Sequence, residues 1–254
     1  MEELFIRSIK NLIEFIKRHE ILCLFCLVYL IYNINGRTMA SGDTTPASLL
    51  PFSILENHNL YLDQFSYYFE TNFELAYWVK EIGGHYLSVY PIVTPVLVMP
   101  LYILPFFLMK LAHIPVDMFH PSFALIVPIM EKLSASMIAS ISTIFVFLSA
   151  RELMHKRIAI IVALIFAFAT NTWTISSQGL WQHGLVELLL AMLIYLVLIN
   201  EKHASDKIII SLGIISGLFV FNRPVDSILL ISIIHYIFGL RARRIAYYLC
   251  AMFI

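Results

Sequence analysis

Charge is what this sequence has least of. Asp, Glu, Lys and Arg make up only 13% of its 254 residues, and the formal net charge is zero. A zero balance leaves no electrostatic footprint for nucleic acid, so no nucleic-acid partner is expected. Cysteine is scarce as well. The three cysteines, two of them as Cys23-x-x-Cys26 inside an apolar stretch, provide no disulfide framework and read as packing residues. No third ligand stands at metal-site spacing from His183 and Glu187, so no metal site is assigned. Internal repeats are absent. The long basic N-terminal region lacks a small-residue cleavage site, so the first apolar span is expected to be an uncleaved anchor and not a signal peptide.

Apolar surface is present in excess. At 60% hydrophobic, the chain has more than the core of a globule this size requires, and the surplus is expected to face lipid. Stretches near the length of a ~30 Å hydrocarbon layer occur at about 20–35, 131–150, 158–172, 183–200, 208–222 and 225–240, and another begins near Ile245. The expected fold is all-α, a multi-pass transmembrane helical bundle of about six to seven spans, with a long outer first loop that contains interfacial helices.

Twelve of the seventeen Lys and Arg fall into four clusters: Arg7, Lys10, Lys17 and Arg18; Arg151, Lys156 and Arg157; Lys202 and Lys207; Arg241, Arg243 and Arg244. By the positive-inside rule these mark the cytoplasm, which places the protein in the cell membrane with its N-terminus inside. Residues 172–182, the Asn222–Asp226 turn and residues 35–90 then lie outside. Within 91–109, Pro91, Pro95, Pro100 and Pro105 interrupt any regular span. Short helices in or dipping into the outer interface are expected over 91–130; the runner-up is one crossing there and a second, broken one through 119–130. Residues 1–19 are amphipathic, with Leu4, Phe5, Ile9 and Leu12 opposite Arg7, Lys10 and Lys17, and read as a cytoplasmic interfacial helix. The remainder, 20–254, forms one membrane module, with the helical spans of 131–254 following the outer segments. It stops inside an apolar run, which suggests that a C-terminal part is missing.

The loop 35–90 holds eleven of the thirty-five aromatic residues and six acids, too many rings for a merely solvated connection. In Ser41-Gly-Asp-Thr-Thr-Pro-Ala-Ser, Thr45 can cap a helix and Pro46 suits its first position. Asp43 therefore stands just ahead of a helix N-terminus, where the dipole favours a carboxylate; it is either part of the cap or a general base. Asp63 sits at a second turn, as a solvated loop acid or a binding residue. His183 and Glu187, one turn apart, form either a helix pair or part of a site. Glu187 is the one ionisable group expected inside a span. Arg223 either staples its turn to Asp226 or faces an anion at the membrane surface, for which a lipid-linked phosphate is the natural choice.

Several motifs occur in order: Gly42-Asp43-Thr-Thr-Pro-Ala, Leu50-Pro-Phe-Ser-Ile-Leu, Leu60-Tyr-Leu-Asp63, Tyr86-Leu-Ser-Val-Tyr-Pro91, Glu131-Lys-Leu-Ser-Ala-Ser, Ala150-Arg-Glu-Leu, Leu180-Trp-Gln-His183-Gly and Gly217-Leu-Phe-Val-Phe-Asn-Arg223-Pro. Together they resemble the N-terminal membrane module of the GT-C superfamily, the multi-pass glycosyltransferases related to protein O-mannosyltransferases and lipid A aminoarabinose transferases. The likeness covers nearly the whole chain. It implies a polyprenyl-phosphate sugar donor reached from the outer leaflet, an acceptor glycan, lipid or protein, and an acid in the first outer loop as base, at the position of Asp43. Arg223 would compensate charge on the departing phosphate, while His183, Gln182 and Tyr90 would line the sugar and acceptor cleft. Helices at 46–56 and 91–109 would hold the prenyl tail. Asp43 has no acidic neighbour before Glu56, whereas many relatives carry two acids close together; a divalent cation is thus left open as cofactor. Two other classes stay in view: a transporter or flippase of a lipid-linked substrate, and a non-catalytic lipid-binding subunit.

Overall fold

The computed structural model describes residues 18–39, 41–69 and 76–253. Most of the expected amphipathic segment 1–19, together with Glu70 and Glu74, lies outside the described residues. The chain is mostly helical: α1 (Glu20–Asn33), α2 (Thr45–Asn57), the single turn α3 (Ser66–Phe69), α4 (Val93–Leu111), α5 (Pro121–Leu153), α6 (Lys156–Phe168), α7 (Gln182–Lys202), α8 (Asp206–Asn222), α9 (Ile231–Phe238) and α10 (Ala242–Met252). Three helices, α4, α5 and α7, are long and apolar enough to cross a membrane; α1 and the segment Pro224–Phe238 are shorter apolar helices.

The all-α expectation holds with one small exception. Strands β1 (Val79–Ile82) and β2 (His85–Ser88) pair as an antiparallel hairpin, Ile82 opposite His85, and the two-residue turn is Gly83-Gly84. Both glycines have positive φ (63° and 82°), which a tight hairpin needs and a Cβ would strain.

Helix α5 is the hub of the fold and packs against α1, α2, α4, α6 and α7. At 33 residues and 1.5 Å per residue it is about 50 Å long, well beyond a ~30 Å apolar layer. The excess has a use. Residues 121–130 run beside α2, where Phe123 meets Phe52 edge-on at 5.0 Å and stacks with Phe65 at 6.1 Å. One core joins α2, the hairpin, α4 and these first turns of α5; a second joins α1, α5 and α6; a third joins α7 through α10. The first core thus forms a layer beyond the end of the helices that carry the other two.

The segment 91–109 differs from expectation. The prolines do not break it into short helices, because Pro91 precedes α4 and Pro95 lies in its first turn, where no N–H donor is needed. Only Pro100 and Pro105 are interior, and α4 continues through both. Helix α2, expected to be an interfacial helix that holds the prenyl tail, buries Leu49, Leu50 and Phe52 fully in the first core. Helix α4, by contrast, exposes Leu97, Ile103, Leu104, Phe107, Leu108 and Leu111.

In the third core, Gly213 and Gly217 lie one turn apart on α8. A Cβ built on either would come within 2.4 Å of a backbone oxygen of α10 (Tyr248 O and Met252 O). Glycine is required at both for the helices to approach this closely.

Among the described residues, the basic clusters around Arg151, Lys202 and Arg243 gather at one end of the bundle. Glu20 pairs with Arg151 (2.5 Å) and with Lys156, Lys202 with Glu152 (2.7 Å), and Arg243 and Arg244 with Asp206 (2.8 and 3.1 Å). Helix α7 runs from the other end to Lys202, and its 21 residues make the separation about 30 Å.

Candidate functional site

At that other end, four segments meet around Asp43. The turn Ser41–Thr44 is wound by Thr44 N–H and Thr45 N–H donating to Ser41 O, at 3.1 and 3.0 Å. Helix α2 then begins one residue earlier than expected, with Thr44 as N-cap, Thr45 as its first residue and Pro46 in its first turn. Asp43 is left just outside the helix, half-buried, with its side chain directed at the hairpin segment.

Two phenols converge on one oxygen of that carboxylate. Tyr90 Oη donates to Asp43 Oδ1 at 2.5 Å and Tyr77 Oη donates to the same atom at 2.9 Å. The oxygen that accepts both carries no proton, and Oδ2 receives no hydrogen bond among the described residues. The carboxylate and burial push the Tyr90 hydroxyl above its ordinary ionisation range, burial being the larger cause; for exposed Tyr77 the hydrogen bond to Asp43 is the first cause of a rise. Both phenols therefore remain donors through neutral and mildly alkaline pH. Gly42 permits the approach: a Cβ there would sit 2.4 Å from Tyr77 Oη and 2.9 Å from Trp78 Cδ1.

The opposite wall is Arg223, Asp226 and His183. Arg223 Nη1 donates to Asp226 Oδ2 at 3.0 Å, so the turn staple forms, and the same atom lies 2.6 Å from His183 Nδ1. A guanidinium can only donate, so His183 Nδ1 accepts and its proton sits on Nε2. The backbone links the two groups: Tyr90, bonded to Asp43, is four residues from Thr94, and Thr94 bonds Asn222, the neighbour of Arg223. Trp181 stacks parallel to the imidazole at 6.0 Å and holds its plane.

Asn222 ties the two walls together and is itself fully buried. Thr94 Oγ1 donates to its Oδ1 at 2.9 Å, and its Nδ2 donates to Gln182 O at 3.1 Å. One amide thus couples the start of α4, three residues beyond Pro91, to the start of α7 and the end of α8.

Of the residues expected from the sequence, Asp43, Tyr90, Gln182, His183 and Arg223 gather here. Asp63 and Glu187 do not. Asp63 Oδ1 accepts from Tyr86 N–H and Oδ2 bonds His85 Nδ1, both at 2.7 Å, so this acid clamps the hairpin. Glu187 accepts from Ser176 (2.7 Å) and Thr172 (3.1 Å) and does not pair with His183. The Thr172–Ser176 turn is wound so that both hydroxyls face α7, and His183 is taken by Arg223.

Three contributors were missed. Tyr77 carries no motif of its own, although the Gly83-Gly84 hairpin signal would have brought residues 77–78 and 89–90 together. Glu131 and Lys132 were placed at a span end because α5 was expected to begin there; ten residues of helix precede them, and they are 4% and 5% exposed. Glu131 Oε1 accepts from Leu180 N–H at 3.1 Å and faces the Thr44 hydroxyl, joining the segments that carry His183 and Asp43. Lys132 donates to Gln178 Oε1 at 2.5 Å. Among the described residues, no three His, Cys, Asp or Glu side chains converge as a metal site would require, and the residues of the mouth do not fit a cation centre of that kind.

No family model, curated protein or solved structure matches this chain.

Proposed function

We propose that this protein is a multi-pass membrane glycosyltransferase that moves a sugar from a polyprenyl phosphate to an acceptor hydroxyl or amine at the outer membrane face. The observation that carries the proposal is the mouth itself: a carboxylate with one oxygen held by two phenols and the other open, opposite an arginine–histidine pair. Support for the orientation is that the mouth lies about 30 Å of helix from the basic end, so the positive-inside rule sets it outside. In this reading α5 and α7 cross the membrane, the shorter apolar helices α1 and Pro224–Phe238 pack beside them, and the exposed apolar face of α4 borders the prenyl chain.

The chemistry follows from the positions. Asp43 Oδ2 takes the acceptor proton as the acceptor oxygen or nitrogen bonds to the anomeric carbon. The bond from that carbon to the phosphate oxygen breaks on the opposite face, inverting the centre, and polyprenyl phosphate leaves with the electron pair. The departing polyprenyl phosphate is a phosphate monoester and already a weak base, so no acid is needed to protonate it. Arg223 Nη2 and Nε, which make no hydrogen bond among the described residues, and His183 Nε2–H would compensate the developing charge. Tyr90, Tyr77 and Gln182 keep base and cleft in register.

The test is a transfer assay with the full chain in lipid, offering a panel of radiolabelled polyprenyl-phosphate sugars. Asp43→Asn, which keeps the shape and the phenol contacts, should lower turnover on the order of 10²–10⁴-fold with donor binding intact. Undiminished turnover in that variant would sink the assignment.

A second reading, movement of a lipid-linked substrate across the membrane, gains from Glu131, Lys132 and Glu187, three ionisable groups inside candidate spans. Each is engaged by local partners, which favours a structural role. Donor flux across proteoliposomes without transfer would decide for transport.

A further inference from the structure

At the end of the molecule that carries Asp43 lies a separate pocket in which amide, hydroxyl and guanidinium groups stand on a largely apolar surface, and we infer that it binds a saccharide bearing an oxyanion. As the acceptor subsite, it rests on the transfer reading above; as a binding site, it stands on its own lining. The pocket has a volume of about 290 Å³. One wall is the segment after α1, with Asn35, Arg37 and Thr38; the other is the turn before α7, with Trp173, Thr174 and Gln178.

The lining has the chemistry of a sugar site. Amides and hydroxyls pair with ring hydroxyls, and an indole offers a flat face to the apolar side of a pyranose. Trp173 is fixed edge-on by Phe168 at 4.8 Å and Tyr32 at 6.5 Å, so the face is held before any ligand arrives. The floor is fixed too. Gln178 Oε1 accepts from Asn35 Nδ2 at 3.2 Å, and its Nε2 donates to Trp173 O at 2.8 Å and Ser177 Oγ at 2.7 Å.

Charge then selects the class of saccharide. No acid lines the pocket. The exposed Arg37 guanidinium has no partner among the described residues. Directly behind Gln178 is Lys132, an ammonium 5% exposed whose one partner among the described residues is the neutral Gln178 oxygen. Its neighbour Glu131 is engaged by Leu180. Within the lining one cation, Arg37, stands with no acid beside it, which favours a carboxylate or phosphate group on the sugar.

The pocket also adjoins the reacting centre. At Gly179 the two walls touch: a Cβ there would lie 3.2 Å from Met39 O and 3.0 Å from Glu131 Oε1. Met39 is four residues from Asp43, no more than about 14 Å of chain. A saccharide seated beside Met39 therefore lies within about that reach of the carboxylate.

The experiment measures binding with no donor present. Full-length protein in nanodiscs is titrated with glucuronate, glucose 6-phosphate, glucose and inorganic phosphate, followed by tryptophan fluorescence and saturation-transfer NMR. One acidic sugar should bind about tenfold or more tightly than glucose, the scale of a charge-assisted bond, and whichever does so identifies the anion. Arg37→Gln, at an exposed position where folding is not at risk, should lower that affinity to the level of glucose. Trp173→Phe, which keeps an aromatic face, should weaken all three sugars together. The inference is overturned if neither acidic sugar exceeds glucose, if Arg37→Gln changes nothing, or if inorganic phosphate alone binds as tightly as the sugar phosphate. Acid-selective binding without transfer would count against the transfer reading only; transfer to neutral sugars with no acid selectivity would count against this pocket only.

Discussion

Replacing Asn222 by alanine should uncouple the two walls of the mouth, and the size of the effect can be worked from its contacts. The side chain is fully buried and makes two hydrogen bonds, from Thr94 Oγ1 and to Gln182 O. Loss of the bond to the half-buried Gln182 carbonyl costs about 1 kcal/mol net, and loss of the other strands the buried Thr94 hydroxyl, which costs roughly 1–3 kcal/mol where water cannot reach it. Together these give a loss of about 2–4 kcal/mol, large for a single polar residue. The assay is reversible unfolding of the detergent-solubilised protein in a double-mutant cycle with Thr94→Val. Because the two residues share a bond, the double variant should lose less than the sum of the singles, with a coupling of about 0.5–3 kcal/mol. Transfer should fall in Asn222→Ala by more than in Thr94→Val, since only the former also frees Gln182 and with it the start of α7. Additive losses, or an Asn222→Ala cost below about 0.5 kcal/mol, would refute the claim that this amide holds the walls together.

Two further outcomes follow from other parts of the structure. Gly217→Val places a side chain where Met252 O lies 2.4 Å from a bare Cβ, so α8 and α10 must separate; a destabilisation of about 1–3 kcal/mol in the same unfolding assay is expected, and an unchanged midpoint would show that the contact is not tight. The raised ionisation of Tyr77 means that its proton is held more strongly in the folded protein, so its bond to Asp43 is fully present below the ordinary tyrosine range near pH 10 and is lost only as pH climbs through the higher folded value. In difference absorbance at 295 nm between the parent protein and Tyr77→Phe, the titration should be displaced above pH 10, and Asp43→Asn should return it towards the ordinary range.

The sequence by itself determined the helical character and most helix positions. Long apolar runs leave the backbone no way to satisfy its polar groups in an apolar setting except by forming helices, so α1 and α5 through α10 lie close to where the runs lie. It also singled out Asp43, His183 and Arg223, because polar residues beside turns in so apolar a chain are few, while Tyr90 and Gln182 entered only through the family resemblance. Local chemistry offered the Arg223–Asp226 staple, a contact of three residues' separation, as one of two alternatives, and the pair forms.

Only tertiary structure decided the rest, since each remaining point depends on a partner far away in the chain. Glu131 and Lys132 looked terminal because hydropathy dips between 111 and 121, yet α5 begins at Pro121 and carries them into the interior. His183 and Glu187 share a helix face, but Arg223 and the Thr172–Ser176 turn bind them more directly than they can bind each other. Asp63 resembled any loop acid until the hairpin folded onto it. That Tyr77 and Tyr90 would meet on one oxygen of Asp43 required the Gly83-Gly84 turn and the Asn222 tether, contacts spanning 34 to 128 residues. Periodicity and composition report on neighbours within a turn or two; such distances are closed by packing alone.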